Sequence, residues 1–353
     1  LWSVLGAHHL EHGARAVAIF VGLGVALALA AAIGVAGAAG FGTVASHLRH
    51  VNVFWFPLAL GGAAAAHVGY VLAYREVAHV DDGLRIGTLR AGALVATGFG
   101  VFVPRGGFAL DLEALRDLGV PPREARVRVL GLGSLEYLVL SFGACVCALL
   151  MLVRNYPPAE DAVTLSWAIG VPAGSILAVL AIRFRSTICR GRAGALLRPA
   201  LDGIEVVGKI LASPRRHGAA ALLGMGIYWT AEVFVLWACI AAFSHRVPSV
   251  TAVVVGYATG YALTRRTLPL AGAGAVEALL PFALTWVGFA LAPALLAVMA
   301  YRVFNLWLPV GPALAGLIAL HRRRVLTPDA EVGGDDGDGE SVVGAGRRAD
   351  VDR

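Results

Sequence analysis

Between Arg15 and Arg49 the chain reads AVAIFVGLGVALALAAAIGVAGAAGFGTVASHL, without one Asp, Glu, Lys or Arg. A helix needs about 20 apolar residues to cross the hydrocarbon core of a bilayer. The stretch is also longer than the roughly 7–15 apolar residues of a cleavable signal peptide. We therefore predict that it forms a retained membrane-spanning helix.

The whole chain has the composition of a membrane protein. Of its 353 residues, 58% are hydrophobic and only 15% are charged, whereas roughly 25% are charged in a typical soluble protein. The mean hydropathy is +0.75, and a water-soluble fold cannot hide so much apolar surface. These values exclude a soluble enzyme, a disordered protein and a disulfide-stapled secreted domain. They predict an all-α, polytopic transmembrane helix bundle.

Further blocks with at most one charge predict the other spans. Residues 91–104 form too short a block for a full crossing and end in Val-Pro, which favours a broken or re-entrant helix. Including the first stretch, we expect about eight spans. The seven further spans are residues 50–74, 129–153, 162–182, 217–245, 247–264, 267–301 and 303–321.

The basic residues orient these spans. Excess Arg and Lys marks cytoplasmic loops, and eight spans leave only Arg49, Arg154 and Arg246 outside. We therefore expect a plasma-membrane protein with both termini in the cytoplasm. Its predicted parts are an N-terminal segment (1–15), a transmembrane domain (16–320) with a cytoplasmic amphipathic loop (183–217), and a disordered tail (321–353). The net charge of +6 indicates attraction to anionic lipid rather than nucleic acid.

Two segments rich in Gly and Pro resemble one another. Residues 104–107 read Pro-Arg-Gly-Gly, and residues 269–274 read Pro-Leu-Ala-Gly-Ala-Gly. Each follows a short apolar run and precedes a helix that carries an acid. Such paired interruptions indicate an inverted repeat with a transport site between its halves, and the amides at each new helix start suit an anion such as phosphate. The alternative is two ordinary loops.

Four ionisable residues lie inside predicted spans, where a charge is expensive and by default indicates function. They are Glu136, Glu232, Glu277 and Arg302. The alternative is purely structural: Arg302 pairs with a Glu and locks two helices together. Glu232 has no motif around it, so we leave it out of the site. The predicted substrate-binding residues are Arg105, Gly106, Gly107, Glu136, Gly272, Gly274, Glu277 and Arg302.

Motifs of known catalytic chemistry are missing from the sequence. It contains no His-Glu-x-x-His, no Gly-x-Ser-x-Gly and no Walker A motif. We therefore predict no catalytic residue, no metal site and no cofactor.

Residues 269–278 (PLAGAGAVEA) and 300–309 (AYRVFNLWLP) carry a family resemblance. They resemble the Pro-Gly-Gly-x-Gly-x-x-Glu stretch, and the Tyr-Arg helix ending in Trp-Leu-Pro, of the membrane domain of lysylphosphatidylglycerol synthases, also called the flippase-like membrane family. Residues 104–107 are similar to its first Pro/Arg/Gly segment, and Glu136 to an acid in its following helix. The likeness spans about residues 15–325.

The resemblance implies lipid handling. Full synthases add a soluble aminoacyl-transferase domain, whereas only a short tail follows Arg324, so we expect no synthase activity. The leading hypothesis is that the protein binds and translocates a polar lipid, such as an anionic or aminoacylated phospholipid, between leaflets. The alternatives are an ion-coupled transporter of a small solute, and a non-catalytic scaffold for a separate lipid- or glycan-modifying membrane enzyme.

Overall fold

The computed structural model describes residues 10–80, 83–100, 107–154, 160–189, 191–212, 218–244, 246–261 and 269–313. Within these ranges the chain is helical and contains no strand, which confirms the predicted all-α bundle. Its helices are α1 (Leu10–Ala39), α2 (Phe41–Arg49), α3 (Trp55–His79), α4 (Thr88–Gly100), α5 (Gly107–Asp117), α6 (Pro122–Val153), α7 (Asp161–Arg183), α8 (Arg185–Ile188), α9 (Gly191–Ala212), α10 (Ala219–Phe243), α11 (Val250–Tyr261), α12 (Ala275–Trp286) and α13 (Leu291–Arg302). The predicted tail lies outside the described residues.

Six of the described helices are long and apolar enough to span a membrane. They are α1, α3, α6, α7, α10 and a final helix that extends α13 to Ala313. The block 267–301 is not one span, because the chain turns between α12 and α13, where Gly288 has a φ of +98°. The last span therefore begins at Leu291 rather than near residue 303. Turn residues that are themselves apolar leave no mark in the charge pattern.

Four short helices form two broken pairs. α4 and α5 flank residues 101–106, and α11 and α12 flank residues 262–274. A helix of twelve residues is about 18 Å long and cannot cross a hydrocarbon core of about 30 Å. Helices α11 and α12 are closely packed and antiparallel. A Cβ on Gly256 would lie 2.9 Å from Leu284 Cδ2, and one on Gly260, a turn later in α11, would lie 2.7 Å from Cα of Leu280, a turn earlier in α12.

The two halves of the chain share one order of elements: long, short, short and long helix. The first half has α3, α4, α5 and α6, and the second has α10, α11, α12 and α13. The two leading helices, α3 and α10, run antiparallel and meet at Gly69 and Gly224. A Cβ on Gly69 would lie 2.7 Å from the Gly224 carbonyl oxygen, and one on Gly224 would lie 2.8 Å from that of Gly69. Each glycine also faces the amide nitrogen four residues beyond its partner, that of Tyr228 or Ala73, at 2.7 Å.

This reciprocal contact indicates that an approximate two-fold axis passes through the point where the two helices cross. Small residues allow the two backbones to approach closely, which is how helices associate in membranes. Antiparallel leading helices combined with the repeated element order support the inverted repeat that the sequence suggested.

Hydrogen bonds near the ends of helices define the two ends of the bundle. At one end the Asn52 amide donates to the Ala242 carbonyl and the Glu160 amide donates to the Trp286 carbonyl, both at 2.8 Å. At the other end Arg128 donates to the Ala78 carbonyl. We call the second end the basic end, since it carries most of the described basic residues: Arg75, Arg85, Arg90, Arg116, Arg123, Arg126, Arg128, Arg183, Arg185, Arg198 and Lys209.

Candidate functional site

A buried ion pair joins α12 to α13. Arg302 Nε donates to Glu277 Oε1 at 2.7 Å, and the two side chains are 1% and 0% exposed. The pairing that the sequence offered as an alternative for Arg302 is therefore present. Full burial makes each charge dependent on the other, because an isolated charge in so dry a place is strongly unfavourable.

The backbone before α12 positions Glu277. Its Oε2 atom accepts a hydrogen bond from the Gly274 amide at 2.7 Å, so the carboxylate caps the helix that carries it. Leu270, Gly272 and Gly274 have φ values of +56°, +69° and +85°, and a glycine is the residue that adopts such values without strain. A Cβ on Gly274 would also lie 3.1 Å from Leu27 Cβ of α1. The predicted glycines thus shape the break that places Glu277.

A second buried acid, Glu232 of α10, binds the same end of α13. The Tyr301 hydroxyl donates to Glu232 Oε2 at 2.6 Å. The Asn305 amide group donates to Oε2 at 2.7 Å and to Oε1 at 2.8 Å. The Tyr257 hydroxyl of α11 lies 3.0 Å from the Tyr301 hydroxyl, and it is the donor of that pair because the Tyr301 proton is directed at Glu232. Two hydroxyl groups in series and, separately, one amide group therefore lead to the same carboxylate.

A π-helical turn, Val303–Trp307, follows Arg302 directly. Such turns are rare and occur often at functional sites. Here it lies between Arg302, which reaches α12, and Asn305, which reaches α10. The end of α13 is thereby held by one acid on each side.

Glu136 of α6 completes the group. It is 3% exposed, and its backbone carbonyl accepts a hydrogen bond at 2.7 Å from the indole Nε1 of Trp229, one turn before Glu232 in α10. Glu232 interacts electrostatically with both Glu136 and Arg302. The four charged side chains that the sequence placed in spans therefore converge, and we refer to Glu136, Glu232, Glu277 and Arg302 as the buried cluster.

The buried cluster lies deep within the spans and is acidic. Glu232 is near the middle of α10, and Arg302 is near the middle of Leu291–Ala313. Three carboxyl groups and one guanidinium give a formal charge of −3 + 1 = −2 when all are ionised. Among the described residues no three His, Cys, Asp or Glu side chains are arranged to hold a metal ion. A net negative charge in so buried a place favours a positively charged group as its counter-charge.

The first broken pair, α4 and α5, lies only partly within the described residues. Arg105 and Gly106 lie outside the described residues, and Gly107 is the first residue of α5. Asp111 of α5 is 5% exposed and faces Gly98 of α4, where a Cβ would lie 3.8 Å from its Oδ1. Each broken pair therefore places a buried acid early in its second short helix, Asp111 in α5 and Glu277 in α12.

Sequence reasoning missed the residues that bind Glu232. Tyr301 and Asn305 are four positions apart and therefore project from one face of a helix, which marks them as partners of a single group. Both lie in the motif that carries the family resemblance. Glu232 itself was set aside because nothing nearby in sequence accompanies it, and its partners come from residues 69 to 73 positions away.

Comparison with known proteins agrees with the resemblance in the sequence. A family model described as the lysylphosphatidylglycerol synthase TM region matches residues 18–313, which include every residue of the buried cluster. A search of curated proteins finds no match to the chain.

Proposed function

The chain belongs to the family of the lysylphosphatidylglycerol synthase transmembrane region, and on this basis we propose that it binds a polar lipid and translocates its headgroup between leaflets through the buried cluster. The observation that carries the proposal is the convergence of Glu136, Glu232, Glu277 and Arg302, which come from α6 of the first half and from α10, α12 and α13 of the second. Buried charges at this depth in a membrane protein mark the path of a polar substrate.

The charge of the cluster suggests the chemistry of the headgroup. Arg302 offers a guanidinium suited to a phosphate, although in this state it is bound to Glu277. The excess of carboxyl groups suits an ammonium group on the same headgroup. A phospholipid with both groups, such as an aminoacylated phosphatidylglycerol, would let the phosphate take Arg302 while the ammonium meets Glu136 or Glu232.

The break before α12 supports this use of the cluster. Backbone amides at the start of a helix suit an anion, and here the Gly274 amide already binds a carboxylate, Oε2 of Glu277, at 2.7 Å. A phosphate that displaces the Glu277 carboxylate from both Arg302 and the Gly274 amide would therefore gain both donors. We propose that this exchange of partners accompanies headgroup entry.

The test is a leaflet-resolved assay in proteoliposomes. Phosphatidylglycerol labelled with a fluorophore on an acyl chain, and its lysylated form, are exposed to an impermeant quencher, and the fraction that becomes accessible is followed with time. We expect faster exchange with wild-type protein than in empty vesicles. The Glu136→Gln variant, which removes one charge while keeping the side-chain shape, should slow exchange of the lysylated lipid at least tenfold.

A matched control is Glu160→Gln, because Glu160 is an exposed acid at the end of the bundle opposite the basic end. It should exchange lipid like wild type. Folded protein that exchanges neither lipid would contradict translocation and favour the scaffold. Uptake of a soluble cation that depends on Glu136, without lipid exchange, would favour the ion-coupled transporter.

A further inference from the structure

Two adjoining cavities lie at the basic end, between the start of α6 and the polar face of α9. Their volumes are about 570 and 370 Å³. Arg123, Val127 and Asp202 line both of them. We call their combined surface the basic groove. It is separate from the buried cluster, which contributes none of its lining residues.

Close packing fixes α9 beside α6 at this place. A Cβ on Gly203 would lie 2.8 Å from Leu130 Cβ, and one on Gly131 would lie 2.8 Å from Val206 Cγ1. The contact occurs where α6 changes from its charged first turns to its apolar remainder. The basic groove is therefore located near the boundary between headgroups and hydrocarbon.

Ion pairs join the helices that line the groove, and every acidic residue of the lining takes part in one. Arg128 pairs with Glu124 and donates to the carbonyls at the end of α3. Arg185 pairs with Asp202 and, at 2.6 Å, with Glu205. These bonds join α3 to α6 and α8 to α9. They leave the groove's excess of positive charge on other residues.

That excess faces outward. The lining includes six basic residues and three acidic ones, a formal charge of 6 − 3 = +3. Arg123, Arg126 and Arg198 are exposed and extend around the mouth of the groove from α6 and α9. Arginine binds phosphate oxygens in a planar, two-pronged geometry, so their arrangement suits a phosphate group.

The adjacent face of α9 is apolar. Leu197 and Leu211 are each 50% exposed, and their separation of fourteen positions returns them to nearly one side of the helix. A helix with a packed face, a charged face and an exposed apolar face is typical of one lying at a membrane surface. An occupant of the groove would therefore have its polar part beside the arginines and apolar chains beside these leucines.

We propose that the basic groove binds the phosphate headgroup of an anionic phospholipid in the leaflet next to it. The sign of its charge is opposite to that of the buried cluster, so the two sites select different groups. Binding here does not depend on translocation, and it can be measured when no lipid crosses the membrane.

The experiment measures binding of dioctanoyl phosphatidylglycerol to the purified full-length chain in neutral detergent by native mass spectrometry. The variant carries R123Q, R126Q and R198Q. The matched control carries R49Q, R154Q and R246Q, which removes the same charge from exposed positions outside the groove. Each basic residue near an anionic lipid surface contributes substantially, so the groove variant should bind about tenfold more weakly or worse, and the control should bind like wild type. Lipid bound at other sites contributes equally to the signal of the groove variant and of the control, so the difference between them reports on the groove.

Two further ligands identify the source of the phosphate. Dioctanoyl phosphatidylcholine should bind at least tenfold more weakly than phosphatidylglycerol, and inorganic phosphate should fail to displace the lipid at equal concentration. Equal binding of the groove and control variants, equal binding of the two lipids, or displacement by inorganic phosphate would each overturn the proposal. If the triple variant melts early, Arg198→Gln alone, at an exposed position of α9, should still weaken binding about threefold.

Discussion

Arg302 Nε lies 2.7 Å from Glu277 Oε1, and the next residue of the chain begins a π-helical turn that carries Asn305 to Glu232. One short segment of α13 thereby binds acids from two different helices. Helices α10 and α12 belong to one half of the chain, and α6, which carries Glu136, belongs to the other. The proposed passage of a headgroup through the cluster would therefore disturb contacts that join helices.

The ion pair predicts a non-additive pair of substitutions. Arg302→Met leaves Glu277 as an uncompensated buried charge and should destabilise the protein by about 3–5 kcal/mol. Adding Glu277→Gln should restore a large part of this loss, because residue 277 then carries no charge that needs Arg302 as its partner. Thermal stability of the two single variants and the double variant in detergent measures the coupling. A loss in the double variant equal to the sum of the two single losses would mean that the pair is not coupled.

The Tyr301 hydroxyl is predicted to support Glu232 rather than merely to fill space. Tyr301→Phe removes the donor that lies 2.6 Å from Oε2, and losing a partner of a buried polar group costs about 1–3 kcal/mol. Glu232→Gln should relieve that cost in the double variant, since a neutral amide needs fewer donors. Thermal melting checks both values. Melting of Tyr301→Phe at the wild-type temperature would contradict this role.

Adding a single methyl group where α3 crosses α10 should destabilise the protein. Gly69→Ala places a Cβ 2.7 Å from the Gly224 carbonyl oxygen, and overpacking of this kind costs about 1–3 kcal/mol. Gly61 lies in the same helix with no atom within 4 Å of an added Cβ, so Gly61→Ala is the control and should be neutral or stabilising. The melting temperature should fall for Gly69→Ala only; a similar fall in both would show that the crossing is not specific.

The break before α12 should depend on Gly274. Gly274 has a φ of +85°, a conformation that is about 1–2 kcal/mol unfavourable for a residue with a Cβ. Leu27 also limits the space for an added Cβ. Gly274→Ala should therefore lower the melting temperature and slow lipid exchange, because Glu277 moves with the start of α12. Gly226→Ala, at a helical position with open space around it, is the control. Unchanged exchange in a stable Gly274→Ala variant would remove the break from the mechanism.

The sequence predicted the long helices well, because a spanning segment needs only length and the absence of charge. It could not locate the turn at Gly288, since Val, Gly, Phe and Ala there are as apolar as the helices on either side. For the site, Glu277 and Arg302 were identified from depth and motif. Glu232 was set aside because no motif surrounds it in the sequence. Its partners Tyr301 and Asn305 come from distant positions, and only the fold brings them to it.

The most direct test of the central claim is the initial rate of transfer of lysylated phosphatidylglycerol between leaflets in proteoliposomes, compared for wild type and the Glu136→Gln, Glu232→Gln double variant. We predict that wild-type protein accelerates transfer over empty vesicles, and that the double variant, folded as judged by its melting temperature, loses at least tenfold of that rate. Equal rates for wild type and the folded double variant would contradict a role of the buried cluster in lipid translocation.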